Sequence, residues 1–303
     1  ISPYKNISIR FFNPSQYLEG IDKIINHKEV YTEDLYYRIV IPYILNNYDK
    51  ALVIDADIIV NQDLAELYET DINEYMAAAV KDTVMQGYIN GMVPDQEEYL
   101  RNVLNMSSPY DYFNSGICLM NLKKIRSTYS LEYIKNFVKK YIYIVRIYEQ
   151  DMLNILFYGH VKFIDQTWNF FTMSNDWVNK CITLSPLASF LKYQEVRKSP
   201  YIIHYAAAPK PWQDPSVDMG KLWWITARKS PYYEEMLSNI FNKKINDVYS
   251  NIDFNHCKKL NIFQKIFLKI KYFRCSVLSK ITSGNKKIHY NDKKRKIRIL
   301  MNE

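Results

Sequence analysis

The chain has 303 residues, of which 48% are hydrophobic and 24% are charged. This composition is typical of a globular protein with a sizeable core, and it excludes a disordered or fibrous chain. The four cysteines are far apart and form no C-x-x-C pair, which argues against a zinc site or a dense disulfide framework and favours reduced thiols in the cytosol. No apolar run approaches the roughly 20 residues that a membrane-spanning helix needs, and no secretory signal is visible.

The net charge of +8 is unevenly distributed along the chain. Residues 258–303 contain fourteen Lys or Arg residues and only two acids, Asp292 and Glu303, which gives this segment a charge of +12. The preceding 257 residues carry 26 basic and 30 acidic groups, a charge of −4. A mildly acidic body is therefore followed by a strongly basic tail.

Strand-like and helix-like segments alternate over the first 212 residues, which predicts an α/β protein. The predicted strands cover residues 7–12, 51–54, 76–80, 117–121, 161–164 and 201–203. The predicted helices cover residues 18–25, 34–45 with an interruption or end near Pro42, 131–141 and 231–248. The chain has only seven glycines and no G-x-G-x-x-G or P-loop pattern, so a dinucleotide fold and a P-loop phosphate site are disfavoured.

The basic tail has its own pattern. Apolar residues recur at helical spacing between lysines and arginines, which predicts a basic amphipathic helix. Its apolar positions are Phe263, Ile266, Phe267, Ile270, Phe273, Val277 and Ile281. Residues 286–298 are predicted to be a flexible polycation. We expect the tail to bind an anionic membrane surface; the alternative is a helix packed on the body, followed by a solvated tail.

A short apolar strand ends in two acids at Asp55-Ala56-Asp57. Because side chains alternate along a strand, both carboxylates point to the same side. At the carboxyl end of a strand in an α/β sheet they would face the crevice where ligands bind. Two carboxylates there repel each other unless a cation bridges them, so the pair is a candidate metal site. The alternative is a loop with two solvated acids.

A histidine, His204, directly follows another predicted strand and precedes a loop with two prolines around Lys210. An imidazole together with carboxylates suits manganese-like ions. Lys210 offers a point charge to a phosphate. The alternative is a histidine at a strand end that forms hydrogen bonds and binds no metal.

Two further polar segments lie at predicted element boundaries. Glu149-Gln150-Asp151 begins a helical stretch, where the helix dipole by itself accounts for the acids. Residues 112–116, with the sequence Tyr-Phe-Asn-Ser-Gly, precede an apolar strand and by themselves predict a turn.

Taken together, these four segments resemble glycosyltransferase family 8, which includes bacterial lipopolysaccharide galactosyl- and glucosyltransferases and glycogenin. The resemblance runs in consistent order from about residue 7 to about residue 233. The combination of segments is far more specific than any one of them. It implies a GT-A fold, a Rossmann-like α/β domain over residues 1–257, followed by the helical basic extension of residues 258–303.

The resemblance also implies site residues, carried over position by position. The metal ligands are Asp55, Asp57 and His204. The residues that bind the donor are Arg38, Ala56, Asp82, Asn114, Ala207 and Lys210. The catalytic group consists of Gln150, nearest the anomeric carbon, together with Glu149 and Asp151. The implied metal is Mn²⁺, with Mg²⁺ as the alternative.

Three departures from the family pattern stand out. The family's first strand and helix, which hold the uracil and ribose, precede anything present here, so we expect the N-terminal part of the domain to be missing. Ala207 stands where the family often has Gly, and Glu149 stands where many members have Asp.

The function implied by the resemblance is retaining transfer of a hexose, glucose or galactose, from a UDP-sugar to a glycan or lipid-linked saccharide. The enzyme is expected in the cytoplasm, peripherally bound to the inner face of the membrane. Because Gln150 is a poor nucleophile, front-face attack by the acceptor is favoured over a covalent intermediate. No motif indicates a nucleic-acid partner.

Three other functions stay open. An aspartyl phosphatase usually has Gly-Thr directly after the second acid, whereas this chain has Ile58-Ile59. A self-glucosylating, glycogenin-like protein is compatible with the 27 tyrosines. The third is a non-catalytic glycan-binding scaffold.

Overall fold

A computed structural model describes residues 7–19, 36–250, 262–281 and 284–301 of the chain. The chain divides into two compact units, residues 1–237 and residues 238–303. The predicted boundary after residue 257 falls outside the described residues, as does most of the helix predicted for residues 18–25.

The first unit combines short strands with helices. The described strands are β1 (Lys50–Ile54), β2 (Ile58–Val60), β3 (Ala77–Lys81), β4 (Phe113–Asn121), β5 (Val161–Phe163), β6 (Phe170–Phe171) and β7 (Ile202–His204). The α-helices are α1 (Tyr37–Ile44), α2 (Leu64–Tyr68), α3 (Thr83–Gly87), α4 (Gln96–Asn102), α5 (Leu122–Thr128), α6 (Leu131–Tyr141), α7 (Tyr148–Phe157), α8 (Asp176–Leu184), α9 (Leu187–Val196) and α10 (Gly220–Ala227). Helix α11 (Tyr233–Ser250) begins in this unit, and a π-helical turn, Tyr88–Met92, follows α3.

Two sheets form the scaffold. The larger has the strand order β1-β4-β3-β5, with β4 antiparallel to both of its neighbours and β5 parallel to β3. The smaller has the order β2-β7-β6, with β2 antiparallel and β6 parallel to β7. The chain passes directly from β1 in one sheet to β2 in the other through residues 55–57.

The central strands of the larger sheet are buried on both faces, which explains their continuous apolar runs. On β3, Ala77 and Ala79 belong to a core cluster with side chains of α1, α5, α6 and α7. The alternate residue Ala78 contacts a separate cluster with Ile72, and Val80 joins one with Leu67 and Ile202. The GT-A-like prediction of a layered α/β body therefore agrees with the observed architecture.

Two predictions in this unit were wrong. Residues 7–12 do not form a strand, and Ile7, Ile9 and Phe11 are exposed rather than packed on the sheet. Residues 113–116 are not a turn but the beginning of β4. Residues 113–116 are extended despite their turn-like sequence. Phe113 pairs with Lys81 of β3, and the carbonyl of Gly116 accepts a hydrogen bond from the N–H of Asp55, the residue after β1.

The second unit contains α12 (Ile262–Ile281) and α13 (Gly284–Met301). Helix α12 agrees with the predicted amphipathic helix. The prediction that residues 286–298 are flexible was wrong, because Tyr290, Ile297 and Met301 of α13 pack with Leu268 and Cys275 of α12. None of the helices in the described ranges has a stretch that is long and apolar enough to cross a bilayer.

Helices α3 and α8 pack closely at Gly87. A Cβ at this position would lie 2.0 Å from the backbone oxygen of Cys181. We therefore expect Gly87→Ala to force the two helices apart and to lower the free energy of unfolding by about 1–3 kcal/mol. Urea denaturation measures this change. Thr183→Ala, on the exposed side of α8, is the control and should stay within about 0.5 kcal/mol of wild type; equal midpoints for the two variants would contradict the packing.

Candidate active site

Antiparallel pairing brings distant polar residues to one edge of the larger sheet. Ile54 at the end of β1 pairs with Ile117, and the backbone N–H of Asp55 donates to the carbonyl of Gly116 at 2.8 Å. At the end of β3, the N–H of Asp82 donates to the carbonyl of Tyr112 at 2.9 Å. The carboxyl ends of β1 and β3 therefore meet the start of β4.

The smaller sheet positions His204 next to residues 55–57. His204 is the last residue of β7 and pairs with Ile58, the first residue of β2. The N–H of Tyr205 donates to the carbonyl of Asp57 at 2.9 Å. Because residues 55–57 connect the two sheets, both aspartates and the histidine converge although His204 is about 150 residues away in sequence.

Asp55, Asp57 and His204 form a compact group. One ligand atom from each residue lies within 4.8 Å of the others. His204 Nε2 lies 3.5 Å from Asp55 Oδ2 and 3.3 Å from Asp57 Oδ1. The histidine side chain is 2% exposed, so contacts with the protein and not with water fix the position of the imidazole.

Each carboxylate of this group divides its two oxygens between different partners. Asp55 Oδ1 accepts from the guanidinium of Arg38, and Asp57 Oδ2 accepts from Lys210 Nζ at 2.5 Å. The other oxygens, Asp55 Oδ2 and Asp57 Oδ1, face His204 Nε2. The protein's own cations therefore leave one oxygen of each aspartate for a further ligand.

The group has the chemistry of a site for a divalent cation. Asp57 Oδ1 and His204 Nε2 are buried and face each other at 3.3 Å, and neither forms a hydrogen bond with any other group, so a cation bound by both atoms would satisfy them. His204 Nδ1 lies 2.9 Å from Asn169 Oδ1, which favours the Nδ1–H tautomer and leaves the Nε2 lone pair free for a metal. Two carboxylates and one imidazole suit Mn²⁺.

Charge compensation keeps the aspartates ionised. Burial alone would raise the pKa of Asp57, but His204 and Lys210 outweigh it and lower the pKa to about 2. The pKa of Asp55 is also lowered, by His204 and Arg38 against the effect of burial. Burial lowers the pKa of His204, but the two carboxylates beside it raise it above its ordinary value.

Arg38 connects the group of Asp55, Asp57 and His204 to the start of α7. Besides Asp55, it donates from Nη1 to Glu149 Oε1 at 2.9 Å and to Ser115 Oγ at 3.0 Å. Burial raises the pKa of Glu149 despite the nearby guanidinium. Tyr148, the first residue of α7, has a φ of 41°, a left-handed value that costs a residue other than glycine roughly 1–3 kcal/mol.

Gln150 is fixed in a buried network of polar side chains. Its Oε1 accepts from Asn114 Nδ2 at 2.9 Å and from the N–H of Ser115 at 3.0 Å. Its Nε2 donates to Asp82 Oδ2 at 3.3 Å. Burial raises the pKa of Asp82. The network holds the amide at the cavity in a single orientation.

Asp151 lies on a different side of α7 and is fully buried. Its carboxylate accepts from the hydroxyls of Tyr99 and Tyr112, each at 2.5 Å, and from the N–H groups of Arg146 and Ile147, each at 2.8 Å. Four donors occupy the carboxylate, so Asp151 anchors the turn before α7.

A cavity of about 690 Å³ opens at these residues, a volume suited to a small ligand. Nine predicted site residues line it: Arg38, Asp55, Asp57, Asp82, Asn114, Glu149, Gln150, His204 and Ala207. The other three predicted residues, Ala56, Asp151 and Lys210, do not line it. The ammonium of Lys210 donates to Asp57 and also to the carbonyls of Tyr205 and Ala206.

Sequence reasoning missed Asn169. Its Oδ1 orients His204, and its Nδ2 donates to Asn114 Oδ1 at 2.8 Å. The residue is 2% exposed and lies at the end of a 3₁₀ turn, where no local pattern distinguishes it from a loop asparagine.

The sequence matches the profile of glycosyl transferase family 8 over residues 2–216. The chain belongs to this family, and its fold is GT-A.

Individual relatives agree with this assignment. General stress protein A of Bacillus subtilis (strain 168) is 29% identical over 213 residues, covering 68% of this chain and 69% of that protein. Lipopolysaccharide 1,2-glucosyltransferase of Escherichia coli (strain K12) is 25% identical over 214 residues, covering 68% of this chain but only 57% of that protein. The apo structure of the bifunctional glycosyltransferase WbbM superposes with a TM-score of 0.67 and 28% identity, covering 78% of this chain and 42% of that one.

The group of Asp55, Asp57 and His204 requires the absence of a side chain at residue 116. A Cβ there would lie 2.4 Å from His204 Cε1 and 2.7 Å from Asp55 Oδ2. We expect Gly116→Ala to separate these ligands and to weaken Mn²⁺ binding by about tenfold or more, as measured by calorimetry.

The matched control is Gly159→Ala. A Cβ at Gly159 meets no atom within 4 Å, although its φ of +77° makes alanine strained. This variant should lose about 1 kcal/mol of stability and keep wild-type Mn²⁺ affinity. Wild-type affinity in Gly116→Ala would show that the three side chains do not share an ion.

Proposed function

We propose that this protein transfers a hexose, glucose or galactose, from a UDP-sugar to a saccharide or lipid-linked saccharide, with a divalent cation, Mn²⁺ or Mg²⁺, and with retention of configuration. The observation that carries the proposal is the group of Asp55, Asp57 and His204 at the cavity, with two buried ligand atoms that lack hydrogen-bond partners. Membership of family 8 supports the reaction class.

The cation would be held by Asp55 Oδ2, Asp57 Oδ1 and His204 Nε2. When bound, it would supply Lewis-acid stabilisation to the negative charge of the departing diphosphate. Arg38, which reaches both Asp55 and Glu149, places a further positive charge at the cavity wall. Lys210 stabilises the ionised form of Asp57, and contact with the diphosphate would require its ammonium to leave that carboxylate.

The residues around Gln150 would bind the hexose. Asp82, Asn114 and Gln150 present carboxylate and amide groups to the cavity, and such groups bind sugar hydroxyls. Their mutual hydrogen bonds fix their orientation before the donor arrives. Ala207 offers a small side chain where the diphosphate would approach the backbone.

Retention would follow from front-face attack by the acceptor hydroxyl while the diphosphate leaves and accepts its proton. A covalent intermediate needs a carboxylate free to attack the anomeric carbon. Gln150 is an amide, Asp151 is buried under four hydrogen bonds, and Glu149 is paired with Arg38. Isolation of a glycosyl adduct on Glu149 or Asp151 of the wild-type protein would contradict this mechanism.

The main test is hydrolysis of UDP-glucose and UDP-galactose in the absence of acceptor. We expect hydrolysis that depends on Mn²⁺ and that falls at least about a hundredfold in Asp57→Asn, because the ion loses a charged ligand. Released UDP measures the rate.

Asp63→Asn is the matched control, because Asp63 only caps helix α2 on the exposed surface. It should hydrolyse the donor at the wild-type rate.

Binding of neither UDP nor Mn²⁺ would favour a non-catalytic scaffold, magnesium-dependent phosphate release would favour a phosphatase, and a mass increase of the protein itself would favour self-glucosylation.

We further propose that the second unit binds an anionic membrane surface, which would place the enzyme on the inner face of the membrane near lipid-linked acceptors. Helix α12 buries Leu268 and Cys275 against α13 but leaves a second apolar stripe in solvent. The stripe consists of Phe263, Ile266, Ile270, Phe273 and Val277, which are 41–79% exposed. Exposed lysines and arginines flank it, and each contributes on the order of 1 kcal/mol near an anionic leaflet.

Replacing Phe263, Ile270 and Phe273 by serine should abolish co-sedimentation with phosphatidylglycerol vesicles, because the stripe supplies the apolar contact. The matched control replaces the exposed Leu187 and Leu191 of α9 by serine and should sediment like wild type. Equal binding to vesicles of neutral phosphatidylcholine, or unchanged binding of the stripe variant, would contradict the proposal.

A further inference from the structure

The cavity has two kinds of apolar lining. Tyr37, Ile41 and Val53 lie on α1 and β1, next to Arg38 and Asp55. Val84, Tyr88 and Val178 lie on α3, the π-helical turn and α8. Asp82 caps α3 by accepting from the N–H of Met85 at 2.9 Å, so the second lining begins at the residue proposed to bind the hexose. In front-face attack the acceptor hydroxyl reaches the anomeric carbon beside the departing diphosphate, and the second lining, which begins at the proposed hexose site, would support the rest of the acceptor.

Tyr88 of this second lining forms an aromatic pair with Trp177, which lies beside the cavity, next to Val178. The rings of Tyr88 and Trp177 make an edge contact, with centroids 6.2 Å apart and an interplanar angle of 67°. Trp177 Nε1 donates to the Tyr88 hydroxyl at 3.3 Å. Trp177 is nevertheless 49% exposed, while the adjacent Val178 lines the cavity. The indole N–H thus has a hydrogen-bond partner, while much of the apolar ring of Trp177 remains exposed to solvent.

The pair is rigidly supported. The close approach of Gly87 to Cys181 fixes α3 against α8. Asn90, in the π-helical turn, donates from Nδ2 to the carbonyl of Leu184 at 2.6 Å and accepts from the hydroxyl of Tyr110 at 2.5 Å. Neighbouring elements therefore hold the backbone segments that carry both residues of the pair, and a surface that is ordered before binding lowers the entropic cost of binding.

Resting on the function proposed above, we propose that Trp177 and Tyr88 form the acceptor-binding surface, on which the pyranose ring of a saccharide acceptor stacks. A pyranose has an apolar C–H face and polar edges. Aromatic residues with an apolar body and a polar tip match this arrangement, and the Tyr88 hydroxyl is placed to meet a sugar hydroxyl.

The test compares transfer with hydrolysis in the same reaction. The full chain is incubated with Mn²⁺, the UDP-hexose that it hydrolyses, and p-nitrophenyl α- and β-glucosides and galactosides or lactose. In Trp177→Ala the ratio of transfer to hydrolysis should fall about tenfold through a higher acceptor KM, which corresponds to one stacking contact. Trp177→Phe should restore most of the ratio, because it keeps an apolar ring but loses the indole N–H.

Leu187→Ala is the matched control, since it removes an exposed apolar side chain from α9. Its ratio should equal that of wild type. An unchanged ratio in Trp177→Ala would overturn the inference, as would wild-type hydrolysis without transfer to any of these hexosides. Absence of donor hydrolysis in wild type would instead refute the proposed function. In that case tryptophan fluorescence decides whether sugars stack on Trp177: hexosides should quench the fluorescence of the wild-type protein but not that of Trp177→Phe.

Discussion

The electrostatics of the cavity depend on how the two carboxylates of residues 55–57 are compensated. This segment connects the two sheets, so its carboxylates cannot move apart without disturbing both. Arg38 and Lys210 each neutralise one oxygen, and the remaining oxygens face a buried imidazole nitrogen. Carboxylates that are this close and partly buried would otherwise take up protons. The arrangement keeps them ionised and leaves one oxygen of each aspartate facing His204 Nε2.

A continuous chain of buried hydrogen bonds connects this group to the rest of the cavity. Asn169 bonds to His204 on one side and to Asn114 on the other, and Asn114 bonds in turn to Gln150 and Asp82. The orientation of the imidazole and the orientation of the Gln150 amide are therefore set together. Such preorganisation matters for transfer reactions, because dipoles that are already aligned need no reorganisation as charge develops.

Helix α7 shows how one turn of sequence produces three chemical environments. Successive residues of a helix point about 100° apart. Glu149 thus faces Arg38, Gln150 faces the cavity network, and Asp151 faces buried tyrosines. Three adjacent polar residues consequently have different partners, and only the first two, Glu149 and Gln150, line the cavity. The aromatic pair of Tyr88 and Trp177, on the π-helical turn and α8, adds a fourth, apolar environment next to the cavity.

The sequence by itself determined the layered α/β body, because buried strands need apolar runs, and the combined order of four motifs grouped Asp55, Asp57 and His204, whose side chains lie together in the fold. It did not show that residues 113–116 are a strand, since that conformation comes from pairing with β1 and β3. It also did not reveal Asn169, the burial of Asp151, or the helix at residues 284–301, because each depends on partners that are distant in sequence. Local patterns record propensity and periodicity, whereas contacts between remote elements exist only after the chain has folded.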